Sequence, residues 1–292
     1  MKYGAIDIGT NAARLLIGEV EVNNGIKRVK KVSYTRIPLR LGLEVFDKKT
    51  IGSKKRVEFV KTIQAFKLIS EVFEVEKLRA VATSAMREAE NGWEVKEEIQ
   101  RYTGIDIEII DGNEEAKLIF NSFLQIHQSN DSPFIVVDVG GGSTELSIFN
   151  NGERMDSKSF KIGTIRMLKD KVKDKTWDDL NEWLDKKQDE LKGMRVFATG
   201  GNINKIHKLL GYKYLEPIPF RDIEDIFDQM KDLSLDKRIE KYGLKEDRAD
   251  VIIPALKIYL SIMRKLKTKE VIVPKVGLSD GVILEFDKLA NK

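Results

Sequence analysis

Residues 134–149 read FIVVDVGGGSTELSIF, and they are the most informative part of the sequence for the fold. The apolar run 134–137 predicts a buried strand that ends at Asp138, and a second apolar run resumes at Leu146. Between them, the glycines at 140–142 permit a turn that residues with side chains cannot adopt. Consecutive glycines also bring backbone N–H groups together, and such groups bind phosphate. The stretch therefore predicts two strands joined by a phosphate-binding loop.

Polar side chains surround this glycine loop. Asp138 and Glu145 flank it, while Ser143 and Thr144 add hydroxyl groups directly after the last glycine. Mg²⁺ is a hard cation that prefers oxygen ligands, and two carboxylates at the ends of a phosphate loop could hold it. The sequence thus indicates a combined site for phosphate and a divalent cation.

The same pattern occurs near the start of the chain, where residues 3–17 read YGAIDIGTNAARLLI. Asp7 aligns with Asp138. In that alignment Gly9 falls on Gly140, and an apolar run follows in both places. The two units predict a duplicated domain with facing phosphate loops. Two unrelated glycine-rich hairpins are the alternative reading.

Composition limits the class of protein. The length of 292 residues suits one large domain or two of roughly 150 residues. The 51 basic and 47 acidic residues leave a net charge of +4, which is compatible with an anionic ligand. No interleaving of basic and aromatic residues predicts nucleic-acid binding. Cysteine is absent, which excludes disulfides, and no apolar run is long enough to span a bilayer. We therefore expect a cytoplasmic protein without membrane contact.

Alternating strand and helix patterns follow each hairpin and predict an α/β fold. In the first half, an apolar stripe of helical period extends from Val57 to Phe73 within 54–76. The runs 78–82 and 105–110 predict strands. In the second half we predict helices at 164–172, 176–192, 202–210, 221–231 and 246–266, and strands at 195–198 and 270–273.

The polar segment 127–133, HQSNDSP, separates the two halves and predicts a hinge. We expect the first domain to span 1–126, with the last helix at 281–292 folding back onto it. The second domain is expected to span 127–280.

Six motifs occur in a fixed order along the chain: DIGTNAARL, ATSAMREAEN, DGNEEAKLIF, DVGGGSTEL, ATGGNINKI and GLSDG. In this order they resemble the exopolyphosphatase and guanosine pentaphosphate phosphohydrolase (Ppx/GppA) family, in its short two-domain form. The resemblance implies an α/β fold of two actin-like, ribonuclease H-like domains with the active site in the interdomain cleft. It also implies removal of a terminal phosphate by water, with Mg²⁺ or Mn²⁺ as the cofactor.

The resemblance also assigns roles to particular residues. It implies that Glu115, with Glu114 beside it, activates or positions the attacking water. It implies metal ligation by Asp7, Asp138 and Glu145. The implied phosphate-binding residues are Thr10, Asn11, Arg87, Gly140, Gly141, Gly142, Ser143, Thr144, Gly200 and Gly201.

Two of these roles have plainer alternatives. Glu115 stands at the start of a predicted helix, where the helix dipole favours an ionised carboxylate whatever its function. Arg87 lies on a charged helix and could equally be a surface residue. The resemblance, rather than the local pattern, favours the functional reading of both.

Three positions depart from the pattern that is usual in the family. Ala12 replaces a serine in the first loop, Asn202 replaces a threonine in the third glycine motif, and Ser279 replaces a positive charge in the last motif. These changes weaken any transfer of substrate preference. None falls on Glu115 or on the carboxylates of the second loop, so we expect an active enzyme.

The sequence leaves three kinds of function open. The first is a phosphohydrolase acting on inorganic polyphosphate, with guanosine pentaphosphate as the alternative substrate because the same motifs serve both. The second is an ATP-binding phosphotransferase or actin-like switch, against which a water-directing Glu115 argues. The third is a non-catalytic sensor of guanosine polyphosphates. The expected partner is polyphosphate or a guanosine polyphosphate, and a homodimer, common in the family, is left open.

Overall fold

The chain divides into two compact units. The computed structural model describes residues 1–23, 25–123, 126 and 133–290. Unit 1 comprises Met1–Gln128 and Val276–Lys292, and unit 2 comprises Ser129–Lys275. The predicted hinge at 127–133 lies outside the described residues except for its last position.

Unit 1 is built on a mixed sheet. Its strands are β1 (Lys2–Ile8), β2 (Ala13–Asn23), β3 (Ile26–Ile37), β4 (Lys77–Ala82) and β5 (Ile107–Ile109). They lie in the order β3–β2–β1–β4–β5. The first three strands form an antiparallel meander, β4 runs parallel to β1, and β5 runs parallel to β4. The carboxyl ends of β1 and β4 therefore lie side by side at one edge of the sheet.

Five helices of unit 1 connect or follow these strands within the described part of the chain before residue 124: α1 (Gly42–Lys48), α2 (Ser53–Val72), α3 (Ser84–Glu88), α4 (Gly92–Thr103) and α5 (Gly112–Phe123). Helix α2 forms where the apolar stripe predicts it, and Phe59, Ile63 and Phe66 are fully buried. Its buried face is smaller than the predicted stripe, because Val57 and Val72, two members of that stripe, are exposed.

Unit 2 repeats the arrangement of the first strands. It contains β6 (Phe134–Val139), β7 (Thr144–Asn150), β8 (Glu153–Phe160) and β9 (Arg195–Thr199). Their order is β8–β7–β6–β9, with β6 antiparallel to β7 and parallel to β9. The same order and directions occur in β3–β2–β1–β4. The repeat in the sequence is therefore also a repeat of topology.

The helices of unit 2 surround a continuous apolar core. They are α6 (Thr164–Leu168), α7 (Asp174–Lys186), α8 (Gln188–Leu191), α9 (Gly201–Leu210), α10 (Phe220–Lys231), α11 (Leu235–Tyr242), α12 (Glu246–Ala249) and α13 (Ile252–Leu266). A small sheet pairs β10 (Ile218–Pro219) with β11 (Glu270–Val271). Ile258, Tyr259 and Ile262 of α13 are almost fully buried and share one cluster with Ile135 and Leu146 of the sheet. Burial of this apolar surface stabilises the unit.

The last helix, α14 (Leu278–Ala290), belongs to unit 1 and packs against α5 and β1. Gly281 lies so close to the backbone of Leu118 in α5 that a Cβ atom at this position would overlap the Leu118 carbonyl group. Phe286 stacks on Tyr3 of β1, with 5.4 Å between the ring centroids. Glu285 forms an ion pair of 2.7 Å with Arg79 of β4. The glycine thus lets α14 lie directly against the helix that carries Glu115.

Several helices differ from the prediction for local reasons. The helices α1, α4 and α11 are absent from the prediction. The predicted helix over 246–266 is divided into α12 and α13, and Pro254 lies in the first turn of α13. A helix tolerates proline there because the first-turn N–H groups have no partner within the helix. No helix in the described ranges is both long and apolar enough to cross a membrane.

Candidate functional site

The two predicted glycine hairpins have the same backbone turn. In the second hairpin, which joins β6 to β7, the Gly140 N–H donates to the Ser143 carbonyl at 2.9 Å. In the first hairpin, which joins β1 to β2, the Gly9 N–H donates to the Ala12 carbonyl at 3.1 Å. Each turn begins two residues after the aligned aspartate. The alignment made from the sequence therefore holds for the hydrogen bond that closes each turn.

The carbonyl groups of the second hairpin's glycine loop all accept hydrogen bonds from the start of α6. Gly140 accepts from the Thr164 N–H at 3.0 Å. Gly141 accepts from the Ile165 N–H at 2.9 Å. The remaining carbonyl, of Gly142, accepts from the Arg166 Nε at 2.8 Å. Over the described residues, the Gly141 and Gly142 N–H groups donate to no protein acceptor. The loop thus offers amide donors to an anion, as a phosphate nest does.

The two hydroxyl residues after the loop differ in their surroundings. Thr144 is fully buried, and its hydroxyl donates to the Ile162 carbonyl at 2.6 Å. This bond joins the start of β7 to the segment between β8 and α6. Ser143 lies at the end of the turn and is 7% exposed. We therefore keep Ser143 among the candidate phosphate ligands and give Thr144 a structural role.

The carboxylates of the second hairpin lie directly opposite each other. Asp138 of β6 pairs with Glu145 of β7 in the antiparallel register, so both side chains project from the same face of the sheet. The Thr199 hydroxyl donates to Asp138 Oδ1 at 2.7 Å. The Ser159 hydroxyl donates to Glu145 Oε1 at 2.8 Å. Two negative charges at opposed positions destabilise a hairpin, and a bound cation would relieve that repulsion.

This pair of carboxylates fits a magnesium site that is completed by substrate. Mg²⁺ is typically bound by one or two carboxylates together with substrate phosphates and water. No cluster of three or more histidine, cysteine or acidic side chains suited to a metal occurs in the described part of the chain. A fully protein-made cage is therefore not found there. The donors that Asp138 and Glu145 provide are those that Mg²⁺ or Mn²⁺ prefers.

The third glycine motif lies against the second hairpin. Gly200 has φ +115° and ψ 156°, a conformation that is essentially restricted to glycine. A Cβ atom there would stand 2.7 Å from the Val139 carbonyl oxygen and 3.4 Å from Asp138 Oδ1. A Cβ atom on Gly201 would overlap the guanidinium group of Arg248. The structure thus brings Gly200 and Gly201 together with Asp138 in one site of unit 2.

Several side chains of this site were missed by the sequence analysis. Arg166 is buried beneath the glycine loop, and Arg248 donates to the Asn202 Oδ1 at 3.3 Å. The buried Tyr259 hydroxyl donates to the Thr199 carbonyl. Burial raises the pKa of Tyr259 well above its ordinary value, which keeps the hydroxyl a neutral donor. None of these residues stands in a glycine motif, and no local sequence pattern singles them out.

The first hairpin carries an ion pair where the second carries two carboxylates. Arg14 of β2 pairs with Asp7 of β1 in the strand register, and its Nη1 lies 2.5 Å from Asp7 Oδ2. The tip residues Thr10 and Asn11 are buried. Their carbonyls accept from backbone N–H groups at the start of the α1 region, at 3.0 and 2.9 Å. Asp7, predicted as a metal ligand, thus has a guanidinium partner in the protein.

The two adjacent glutamates at the start of α5 face different surroundings. Asp111 caps this helix, because its Oδ1 accepts from the N–H groups of the second and third residues, Asn113 and Glu114, at 2.9 and 2.8 Å. Glu115 is 9% exposed. Glu114 is more exposed, and its side chain lies 3.3 Å from the Lys117 ammonium group. Glu115 therefore points inward, whereas Glu114 belongs to a surface ion pair.

Arg87 connects α3 to the start of α5. Its Nη1 donates to the Ile110 carbonyl at 2.6 Å and lies 3.9 Å from Glu115 Oε2. The structure thus brings Arg87 and Glu115 together in unit 1. The predicted site residues form local sets: Glu115 with Arg87, the tip of the first hairpin, and the glycine loops of unit 2.

Sequence comparisons connect the chain to proteins of known classification. A sequence model described as the Ppx/GppA phosphatase family matches residues 20–289. Exopolyphosphatase 1 of Mycobacterium tuberculosis is 24% identical over 97% of this chain and 88% of that protein. The guanosine-5'-triphosphate,3'-diphosphate pyrophosphatase of Pseudoalteromonas translucida is also 24% identical, over 97% of this chain and 58% of that protein.

Solved structures give the same result for the fold. The Aquifex aeolicus member of the Ppx/GppA family superimposes with a TM-score of 0.78 at 23% identity, covering 100% of this chain and 99% of that one. An exopolyphosphatase from Cytophaga hutchinsonii gives a TM-score of 0.84 at 23% identity, with 98% and 97% covered. These similarities confirm the predicted α/β fold.

Proposed function

The chain belongs to the Ppx/GppA phosphatase family, and from that premise we propose that it hydrolyses the terminal phosphoanhydride bond of inorganic polyphosphate. The observation that carries the proposal is the second hairpin. Its glycine loop turns its carbonyls toward α6, and its two opposed carboxylates lie at the ends of the same loop. Phosphoanhydride hydrolysis needs charge neutralisation and accurate placement of water, with little covalent work by the protein.

In this proposal unit 2 binds the phosphate groups. The N–H groups of Gly141 and Gly142 donate to phosphate oxygens, and Ser143 lies at the same turn. Asp138 and Glu145 would hold Mg²⁺ or Mn²⁺, and a bound cation would neutralise the negative charge of the phosphates. The Thr199 and Ser159 hydroxyls orient these two carboxylates. Asp7 is left out of the metal site, because the Arg14 guanidinium already neutralises it.

Glu115 is the carboxylate that handles water in this proposal. Glu115 accepts a proton from the attacking water while the water oxygen forms a bond to the terminal phosphorus atom. The bridging P–O bond then breaks, and the shortened polyphosphate leaves. Arg87, 3.9 Å from Glu115, favours the ionised carboxylate that this step requires. A positioned carboxylate base contributes roughly 10²–10⁴-fold to a rate.

Guanosine pentaphosphate is the second candidate substrate. The observation in its favour is the pyrophosphatase from P. translucida, which matches 97% of this chain at the same identity as the exopolyphosphatase. A terminal phosphate on a 5'-triphosphate presents the same charge to the glycine loop. The absence of cysteine supports a cytoplasmic site of action for either substrate.

The test is phosphate release by purified protein with Mg²⁺, using medium-chain polyphosphate, guanosine pentaphosphate and ATP in parallel. We expect release from polyphosphate and a fall of roughly 10²–10⁴-fold in kcat for Glu115→Gln. Glu97→Gln, on the exposed face of α4, is the matched control and should retain the wild-type rate. Release from guanosine pentaphosphate alone would select the second candidate. Binding without release from any of the three would support a sensor and contradict the proposal.

A further inference from the structure

Beneath the phosphate loop of unit 2 lies a buried cation, Arg166. We infer that Arg166 is a positioning residue that fixes the orientation of the peptide group between Gly142 and Ser143, and through it the Ser143 N–H of the loop. The inference rests on the proposed function of that loop. It concerns a residue that stands outside the glycine motif and does not itself contact phosphate.

The start of α6 contacts the loop through three backbone hydrogen bonds. The Thr164 N–H donates to Gly140 at 3.0 Å, and the Ile165 N–H donates to Gly141 at 2.9 Å. The Arg166 N–H lies 3.2 Å from the same Gly141 carbonyl. These contacts fix the first two carbonyls of the loop. They do not include the third carbonyl, that of Gly142.

The Arg166 side chain secures this third carbonyl. Its Nε donates to the Gly142 oxygen at 2.8 Å, and the residue is 5% exposed. Removing a guanidinium group from water costs free energy unless hydrogen bonds compensate. A hydrogen bond from a charged donor is also stronger than one from a neutral donor. The energetic cost of burying this cation is consistent with a specific task at the loop.

Gly163 makes the contact between α6 and the loop a backbone-to-backbone contact. A Cβ atom at this position would overlap the carbonyl oxygen of Gly141 and the carbonyl carbon of Gly142. Any side chain at position 163 would therefore push the loop away from the start of α6. Arg166 and Gly163 together define a platform, and we use that term for this pair.

The platform matters because the C=O and the N–H of a peptide group carry opposite partial charges and point in opposite directions. If the Gly142 carbonyl turned toward the ligand, its partial negative charge would face a phosphate oxygen. The C=O and N–H of a planar trans peptide point in opposite directions, so holding the Gly142 carbonyl toward Arg166 turns the Ser143 N–H of the same peptide unit away from Arg166 and leaves it to the ligand. The matching position in the first hairpin is Asn11, whose carbonyl accepts from the Arg40 backbone N–H at 2.9 Å. The second hairpin uses a charged side-chain donor for the same purpose.

The test compares Arg166→Lys and Arg166→Met with the wild-type protein. Arg166→Lys keeps the charge but loses the planar guanidinium donor, and Arg166→Met loses both. Lys175→Met, an exposed position on α7, removes one positive charge from the same unit and is the control. Tripolyphosphate binding with Mg²⁺ is measured by calorimetry, and hydrogen exchange is followed in peptides that cover 138–146.

We expect tripolyphosphate to bind about 10-fold more weakly to Arg166→Lys, because the loss of one charged hydrogen bond has an effect of this size. Binding to Arg166→Met should be weaker still. KM for polyphosphate should rise by a similar factor, while kcat falls less. Amide exchange should increase within 138–146 and stay unchanged in β9 and α13. The Lys175→Met control should match wild type in each measurement.

Two results would overturn the inference. One is wild-type affinity and exchange in Arg166→Lys. The other is faster exchange throughout unit 2 in both Arg166 variants, which would indicate a purely structural residue. Wild-type protein that binds tripolyphosphate but releases no phosphate would end the proposed function and leave the platform to be judged by binding and exchange. Wild-type protein that does not bind tripolyphosphate would refute both.

Discussion

The first and second hairpins share a backbone and differ in charge. Both place an aspartate two residues before the turn, and both close the turn with the same hydrogen bond. Opposite Asp7 the first hairpin has Arg14, which forms an ion pair with it at 2.5 Å. Opposite Asp138 the second hairpin has Glu145. The first hairpin places a guanidinium group opposite its aspartate, whereas the second places a second carboxylate there, and paired carboxylates suit a cation.

The difference extends to the neighbouring parallel strand. Beside Asp7, β4 contributes the apolar residue Val81. Beside Asp138, β9 contributes Thr199, whose hydroxyl donates to the carboxylate. Repeated topology thus fixes where an aspartate stands, and the residues around it decide whether that aspartate is a structural ion-pair partner or a candidate metal ligand. Four substitutions test this comparison.

The largest effect is expected from Glu145→Arg, which gives the second hairpin the charge pattern of the first. The new arginine should pair with Asp138, as Arg14 pairs with Asp7. We expect kcat/KM for polyphosphate to fall by roughly 10²–10³-fold, because the loss of electrostatic stabilisation at the phosphate is of this size. The midpoint temperature of thermal unfolding without Mg²⁺ should stay unchanged or rise. Wild-type activity in this variant would refute the role of the carboxylate pair.

Gly200→Ala should have the next largest effect, and it acts on stability. At the equivalent place unit 1 has Ala82, but Gly200 has φ +115° and faces the Val139 carbonyl. We expect the free energy of unfolding to fall by about 3 kcal/mol. Gly193→Ala is the control, since Gly193 has φ +76° with open space around it, and should cost only about 1 kcal/mol. Equal costs in urea unfolding would contradict the close contact with the second hairpin.

Arg14→Met removes the ion-pair partner of Asp7. The carboxylate then stays in a largely buried place without its guanidinium, so we expect a loss of about 2 kcal/mol in the free energy of unfolding. Combining it with Asp7→Leu should restore much of the loss, because an apolar pair leaves no buried charge. If the double variant is no more stable than Arg14→Met, the ion pair is not the reason for the loss.

The smallest effect is expected from Thr199→Val, which copies the apolar neighbour that Asp7 has in unit 1. Valine keeps the shape but removes the hydroxyl that donates to Asp138 at 2.7 Å. Hydrogen bonds to metal-binding side chains typically change metal affinity by about 10–100-fold. We expect the Mg²⁺ concentration for half-maximal rate to rise by about 10-fold, with kcat at saturating Mg²⁺ little changed. An unchanged Mg²⁺ dependence would argue against Asp138 as a ligand.

Much of this arrangement could be predicted from the sequence. The glycine runs, the aligned aspartates and the flanking apolar segments predict both hairpins, because turn geometry and strand alternation are local properties. The difference between Arg14 in the first hairpin and Glu145 in the second could also be predicted, since aligning Asp7 with Asp138 places these two residues at the same position of the alignment. That difference in charge is the clearest sign in the sequence that the two loops have different tasks.

The remaining parts depend on contacts between distant segments. Tyr259 reaches Thr199 across sixty positions, and the guanidinium of Arg248 covers Gly201, so no local pattern announces either contact. Arg166 shows the same limit, because its burial follows from how α6 packs beneath the loop. The missed helix α11 did leave a signal, since Ser234 caps it by accepting from the Lys237 N–H.

The most direct test of the comparison is Mn²⁺ binding, measured by electron paramagnetic resonance on Glu115→Gln protein with tripolyphosphate. This background prevents hydrolysis if Glu115 handles the water. Asp138→Asn, Glu145→Gln and Asp7→Asn are then added one at a time. We expect the first two substitutions to abolish tight Mn²⁺ binding and Asp7→Asn to retain it. Loss of binding in Asp7→Asn, or its retention in Glu145→Gln, would contradict the division of roles between the two hairpins.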